Sequence, residues 1–161
     1  AITLAGDLFA GKPLEVWQGN QWTDRGHELE PCARTMYAFM HDVEVEEVGF
    51  IEGDDWGCSP DGLIGNNGML EIKCLKPENH IKMIMWAEKN NGCPTTYVQQ
   101  VQGQMLVAGA EYCDLVFYHP DLPVLIIRNE PDPEIVKGLL EAKELILTKR
   151  DEIVATLRNK I

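Results

Sequence analysis

A carboxylate and a Glu-x-Lys tripeptide flank a predicted hairpin, and together they could form a metal-dependent site. Asp61 precedes the Gly-Asn-Asn-Gly turn sequence at 65–68, and Glu71 and Lys73 follow it. Glu71 and Lys73 share one face of a strand because side chains alternate. Mg²⁺ binds one or two carboxylates and keeps several waters. An ammonium one step away would orient or deprotonate a water and offset phosphate charge. The pattern predicts a magnesium site suited to phosphate chemistry.

The register of this hairpin decides whether the two carboxylates meet. A two-residue turn at 66–67 would pair Asp61 with Ile72 and place Asp61 and Glu71 on opposite faces. A three-residue loop with a glycine bulge pairs Asp61 with Glu71 instead, and the two turn glycines permit that backbone conformation. The site hypothesis therefore predicts the second register or an equivalent twist.

The same pattern is also typical of a polar hairpin exposed to solvent, so burial decides between the two interpretations. Leu70 and Ile72 must face the core, which places Glu71 and Lys73 on the other face of their strand. Helices predicted further along the chain could cover that face. We therefore expect the two charged side chains to be buried as a pair.

Composition limits the other functions that this chain could have. Its 161 residues, 45% of them hydrophobic, suffice for one domain spanning 1–161 with a real core, and they argue against disorder. The five cysteines are never closer than 16 residues, which excludes zinc-ribbon and most iron–sulfur spacings and indicates a reducing cytosol. No apolar run approaches the ~18 residues of a membrane helix, and no signal peptide is visible.

The net charge of −12 argues against a protein that coats nucleic acid through a broad basic surface. The excess of acidic residues is local, because residues 132–161 hold six basic and six acidic side chains and are neutral. The segment 42–61 contains eight carboxylates and no basic residue. Such a run is usually a solvated face, and it could also form the mouth of a cation site.

Hydrophobic periodicity predicts an α/β protein with a central sheet of mixed direction flanked by helices. Pro31 falls in the second helical stretch, where it either begins the main helix or kinks it, and Glu30 directly precedes it. The predicted helices cover 1–11, 22–41, 78–90, 95–109 and 132–159, and the predicted strands cover 43–51, 60–64, 69–74, 112–119 and 124–128.

Four segments in a fixed order carry a resemblance to a known family. The segments are 25–34, 59–63, 70–74 and 97–105, with the sequences RGHELEPCAR, SPDGL, LEIKC and YVQQVQGQM. Together they resemble the phage lambda exonuclease or YqaJ-type viral recombinase family, within the PD-(D/E)XK nucleases, over roughly residues 1–130. The resemblance implies a restriction-endonuclease-like core and a Mg²⁺-dependent deoxyribonuclease, a 5′–3′ exonuclease of phage-type recombination. Mn²⁺ would substitute for Mg²⁺.

The resemblance also implies roles for individual residues. Asp61, Glu71 and the backbone carbonyl of Ile72 would hold the metal, and Glu30 would complete the acidic cluster. Lys73 would serve the attacking water, and Gln100 would orient groups of the site. Without the resemblance, Glu30 would be an ordinary carboxylate near a helix start and Gln100 an ordinary polar helix flank.

Three further residues are candidate DNA contacts. Ser59 is similar to a serine near the family's 5′-phosphate pocket, Trp56 lies beside the predicted site, and Lys76 follows the metal-binding strand. The other tryptophans are too scattered to predict base stacking and are expected in the core or at its rim. They are Trp17, Trp22 and Trp86.

The family's usual upstream helix, with an arginine and serines that hold the 5′-phosphate, is expected to precede residue 1. Exonuclease and endonuclease action therefore both stay open at this stage.

The resemblance implies a trimeric ring around duplex DNA, a single-strand annealing protein as partner, and a location in the bacterial host cytoplasm. The alternatives are a repair or restriction endonuclease and a catalytically silent DNA-binding module. Intact Asp61, Glu71 and Lys73 disfavour the silent module.

Overall fold

The computed structural model describes residues 1–15 and 21–160, without the side chains of 21–25. Trp17 and the side chain of Trp22, expected in the core or at its rim, lie outside this description. The helices are α1 (Ile2–Ala10), α2 (Gln21–His41), α3 (Pro77–Ala87), α4 (Thr95–Ala108) and α5 (Pro133–Arg158). The strands are β1 (Val45–Glu46), β2 (Ile51–Gly53), β3 (Trp56–Cys58), β4 (Gly62–Ile64), β5 (Gly68–Lys73), β6 (Tyr112–Phe117) and β7 (Leu125–Asn129).

Backbone contacts divide the chain into two compact units, one of residues 1–19 and 134–161 and the other of residues 20–133. The first unit contains α1, which ends as predicted at Gly11, whose φ of 68° suits a residue without a side chain. It also contains α5, a helix that begins at a proline with an acidic first turn. Among the described residues, no helix is long and apolar enough to cross a membrane.

The second unit is built on a five-stranded sheet in the order β1-β4-β5-β6-β7. Strands β5 and β6 are parallel and every other neighbouring pair is antiparallel, so the predicted sheet of mixed direction is confirmed. The parallel pair needs a long crossover, and α3 and α4 supply it. A separate two-stranded sheet pairs β2 with β3.

The single strand predicted over 43–51 is wrong. The structure has β1 and β2 there, and they belong to different sheets. Glu47 and Gly49 interrupt the apolar side of the alternating pattern, so this stretch has no continuous apolar face to hold it on one sheet. Strand β3 is not predicted from the sequence, because three residues are too few for a periodic signal.

The five-stranded sheet buries both faces, and β5 contributes to each by alternation. One face packs Leu70 and Ile72 with Ala33 and Tyr37 of α2. The other face packs Met69 with helix α4 and the neighbouring strand β6, through Val101, Met105, Cys113, Leu115 and Phe117. Side chains that alternate with Leu70 and Ile72 therefore point towards α4.

A buried carboxylate ties α2, β6 and β7 together. Asp114 is 1% exposed and accepts a hydrogen bond from the Tyr37 hydroxyl. The Arg128 guanidinium donates two more, from Nε at 2.9 Å and Nη2 at 2.7 Å, and it stacks 4.1 Å from the Tyr112 ring. Burial alone would raise the pKa of Asp114, but the hydrogen bonds from Arg128 and Tyr37 hold it below its ordinary value.

The Arg128→Met variant is expected to lose stability in a pH-dependent manner. Asp114 has a lowered pKa in the folded state, so its pairing stabilises the fold above the unfolded pKa and this contribution is lost as the pH falls through the folded pKa. We expect a loss of about 1–2 kcal/mol at pH 7, since Arg128 is half-exposed and solvent screens part of the interaction. Urea unfolding at pH 7 and at acid pH measures it. A loss of equal size at both pH values would contradict the assignment.

Candidate active site

The β4–β5 hairpin has the register that the site hypothesis predicts. Ile64 pairs with Gly68, which leaves a three-residue loop at 65–67 whose first residue, Gly65, has a φ of 57°. Continued by one step beyond the Gly62–Leu70 pair, this register sets Asp61 opposite Glu71. The Asp61 N–H donates to the Leu70 carbonyl at 3.0 Å, which fixes the backbone at this point.

Glu71 is the centre of the site and is only 3% exposed. It lies on the face of β5 that α4 covers, and two glutamines one helical turn apart on α4 donate to it. Gln100 Nε2 lies 2.7 Å from Glu71 Oε1, and Gln104 Nε2 lies 3.0 Å from Glu71 Oε2. A buried carboxylate needs such partners, since an unpaired one would be too costly to keep ionised.

Lys73 pairs with Glu71, its Nζ lying 2.7 Å from Glu71 Oε1, but its side chain is 21% exposed, so only the glutamate of this pair is fully buried. The same Nζ donates to Gln100 Oε1 at 3.0 Å and lies 5.4 Å from the centre of the Tyr97 ring. Tyr97 is itself packed against Phe117 at 5.5 Å. These contacts hold the ammonium in one position beside the two carboxylates.

Asp61 is held against the backbone of β5, where its Oδ2 accepts a hydrogen bond from the Ile72 N–H at 2.5 Å. The pKa of Asp61 is raised to about 7, first by burial and then by the negative charges of Glu71 and Glu30. The N–H and C=O of one residue point to the same side of an extended strand. The Ile72 carbonyl therefore points to the side where Asp61 lies.

Glu30 lies on α2, near enough to Asp61 for its negative charge to contribute to the raised pKa of that carboxyl. Its Oε2 also lies 3.3 Å from Nδ1 of His27, one turn earlier on the helix. Pro31 lies inside α2, so this proline does not begin the helix. The structure thus brings Glu30, Asp61 and Glu71 into one acidic neighbourhood.

Two contacts to this group were missed by the sequence analysis. Nη1 of Arg34 on α2 donates to the Asp61 carbonyl, and Nη2 of the same guanidinium pairs with Glu47 at 3.1 Å. Gln104 holds the second oxygen of Glu71. Both residues occur in the segments that carry the family resemblance, and the spacing of Gln104 four residues after Gln100 was the available signal.

The chemistry of the donor set fits a magnesium ion. Two carboxylates and a backbone carbonyl are hard oxygen ligands, and Mg²⁺ takes few protein ligands while keeping waters. The crowding of negative charge that raises the pKa of Asp61 is also what a cation would relieve. Within residues 1–15 and 21–160, no group of three or more His, Cys, Asp or Glu side chains is placed to hold a metal ion, so the proposed site has two carboxylate ligands.

The candidate DNA contacts lie at different places in the second unit. Ser59 is exposed, and its carbonyl lies 3.5 Å from Gln104 Nε2, close to the carboxylates. Trp56 begins β3, where it packs against Gly53, and Lys76 directly precedes α3. Their contact with DNA stays a prediction.

The mixed sheet, with a carboxylate at the start of one strand and Glu-x-Lys on the next, defines a nuclease core of the restriction-endonuclease-like class. The model of the YqaJ-like viral recombinase domain matches residues 2–111, and the chain belongs to this family. The family and fold inferred from sequence are therefore confirmed. No curated protein sequence matches the chain significantly.

Solved structures agree with this assignment. The chain is similar to the alkaline exonuclease LHK-Exo from Laribacter hongkongensis, with 31% identity and a TM-score of 0.86 over 99% of this chain and 81% of that one. A structure of LHK-Exo in complex with dAMP gives the same identity and TM-score, with 82% of its chain covered. A phage-related exonuclease from Haemophilus somnus 129PT shares the fold at 15% identity and a TM-score of 0.74, over 97% of this chain and 81% of that one.

Proposed function

We propose that this protein is a Mg²⁺-dependent deoxyribonuclease that degrades duplex DNA from an end, in the 5′–3′ direction, during phage-type homologous recombination. The observation that carries the proposal is the buried Glu71, fixed by Lys73 and two glutamines with Asp61 opposite. The likeness to an alkaline exonuclease at 31% identity supports the exonuclease class. A location in the bacterial cytoplasm and a single-strand annealing protein as partner belong to the same proposal.

Asp61, Glu71 and the Ile72 carbonyl would hold the metal, with Glu30 adding negative charge nearby. Held by these groups, Mg²⁺ or Mn²⁺ would supply a Lewis acid for the scissile phosphate and would make a water more acidic. Lys73 has three N–H donors, and among the described contacts two of them are used by Glu71 and Gln100. The third N–H could reach a phosphate oxygen, where it would offset the charge that develops during cleavage.

The proposed function is tested by the topology of the DNA that the protein degrades. We expect Mg²⁺-dependent digestion of linear duplex DNA and no digestion of covalently closed circles. Linear duplexes with a 5′-phosphate at one end only would give the polarity. Cleavage of closed circles would favour the endonuclease alternative, and DNA binding without cleavage of either form would favour the silent module.

A divalent cation is expected to stabilise the fold because it binds the carboxylates only in their folded arrangement. At a free concentration one hundred times the dissociation constant, the gain is about 2.7 kcal/mol. Thermal unfolding in MgCl₂, MnCl₂ and CaCl₂, against KCl at matched ionic strength, measures it. Ca²⁺ should stabilise but support little cleavage, since its coordination is looser. A melting temperature indifferent to all three cations would show that the carboxylates do not form a metal site.

The charge of −12 is compatible with a DNA partner if subunits enclose the duplex. In a ring, proposed here as a trimer, each subunit needs to neutralise few phosphates, and the acidic excess can face outward. The acidic residues of 42–55 supply much of this excess, and all of them are exposed. Retention of DNA would then depend on topology as well as on charge.

A further inference from the structure

Helix α4 carries two buried glutamines that are two residues apart and serve different purposes. Gln102 is 6% exposed and Gln104 is 8% exposed. Gln102 uses both ends of its amide, since Nε2 donates to the Glu130 carbonyl at 2.8 Å and Oε1 accepts from the Asp132 N–H at 2.8 Å. A buried amide satisfied at both ends by backbone groups is what a structural role requires.

Gln104 is satisfied at one end only. Its Nε2 lies 3.0 Å from Glu71 Oε2 and 3.5 Å from the Ser59 carbonyl, whereas its buried Oε1 has no hydrogen-bond partner among the described residues. The amide cannot be turned round, because Oε1 would then face two acceptors. An unpaired buried oxygen is unfavourable. The Nε2 donor of Gln104 is thus directed at Glu71 although this leaves Oε1 without a hydrogen bond, whereas both ends of the Gln102 amide are hydrogen-bonded.

The two oxygens of Glu71 are used unequally. Oε1 accepts from both Lys73 and Gln100, whereas Oε2 accepts from Gln104 among the contacts that the structure describes. A carboxylate oxygen can accept about two hydrogen bonds. Oε2 is therefore the oxygen with acceptor capacity left, and Gln104 sets its orientation.

We propose that Gln104 is a positioning residue of the nuclease site, which fixes Glu71 Oε2 so that its remaining lone pair is available to a divalent cation. The inference rests on the proposed function and adds a residue to it. Partners that orient a metal ligand typically change metal affinity or activity by about 10–100-fold when they are removed. Gln104→Met keeps the shape of the side chain, removes the donor and leaves Gln100 and Lys73 in place.

The experiment compares Gln104→Met with the control Gln102→Met, which removes a buried glutamine from the same helix without touching Glu71. Calorimetric titration with MnCl₂ in the absence of DNA measures the dissociation constant, and cleavage of linear duplex is measured across a range of MgCl₂. For Gln104→Met we expect the Mn²⁺ dissociation constant to rise about tenfold or more. We also expect the loss of rate to shrink as Mg²⁺ is raised. Gln102→Met should lower the melting temperature with little change in Mn²⁺ affinity.

Two results would overturn the inference, and they differ in what else they affect. If the wild-type protein binds Mn²⁺ and Gln104→Met binds it equally well, Gln104 has no positioning role and the proposed function stands. If the wild-type protein binds no Mn²⁺ and cleaves no DNA, both proposals fail. Gln104→Asn keeps the amide but withdraws it by one methylene, and it should weaken Mn²⁺ binding in the same direction. It serves as the second variant if the methionine variant does not fold.

Discussion

Asp61→Asn and Glu71→Gln should each lower the rate of DNA cleavage by about three orders of magnitude. Each substitution removes one proposed anionic metal ligand while keeping the size of the side chain, and a bound metal would contribute several kcal/mol to the transition state. In Asp61→Asn the amide oxygen can still accept the hydrogen bond that Asp61 takes from the Ile72 N–H. The loss should therefore come from the charge itself. Single-turnover cleavage of a short linear duplex measures it.

The stability of Asp61→Asn shows whether its loss of activity comes from the missing carboxylate or from unfolding of the protein. The pKa of Asp61 is raised to about 7 by burial and by the charges of Glu71 and Glu30. The carboxyl thus stabilises the metal-free fold most at low pH, and this contribution declines as the pH rises towards 7. At pH 8 the metal-free variant should unfold at no lower temperature than the wild type. Glu52→Gln, a change at an exposed carboxylate of β2, is the control and should retain full activity. Activity within tenfold of the wild type in either Asp61→Asn or Glu71→Gln would refute the site.

The sequence predicts the geometry of the hairpin well because its determinants are local. The sequence leaves two registers open, of which the turn glycines permit the three-residue loop that the structure has, and strand alternation places Glu71 and Lys73 together on the face opposite Leu70. Once the register is known, the position of Asp61 follows without any long-range information. The same reasoning fails at β1 and β2, where strands of two and three residues give too short a pattern.

The residues that the sequence analysis missed depend on contacts between distant segments. Arg34 meets the Asp61 carbonyl across 27 positions, and Asp114 meets Tyr37 across 77. Periodicity shows which face of an element is apolar but not which element packs on it. The role of Gln104 becomes visible only when α4 is known to cover the Glu71 face of β5, since a polar residue beside an apolar stripe is otherwise typical of an ordinary helix flank.

The role of Lys73 should be distinguishable from that of the carboxylates, because its removal should affect metal binding differently. Lys73→Met removes the ammonium that lies 2.7 Å from Glu71 Oε1, the other oxygen of the carboxylate that is proposed to bind the metal through Oε2. A positive charge there opposes binding of a cation, so its loss should leave Mn²⁺ affinity unchanged or increase it. The cleavage rate should still fall by about 10²–10³-fold, as when one charge-stabilising donor is removed from an active site.

Lys73→Met should thus lower the cleavage rate while metal binding stays intact, whereas Glu71→Gln should lose both. Calorimetric titration with MnCl₂ and single-turnover cleavage at saturating Mg²⁺ measure the two quantities on the same preparation. Lys137→Met, which removes an exposed ammonium of α5, controls for the change in net charge. Lys73→Arg should not restore the rate, since a planar guanidinium cannot reproduce a compact ammonium held by Glu71, Gln100 and Tyr97. An equal loss of Mn²⁺ affinity and rate in Lys73→Met would mean that Lys73 supports the carboxylates and has no direct part in the chemistry.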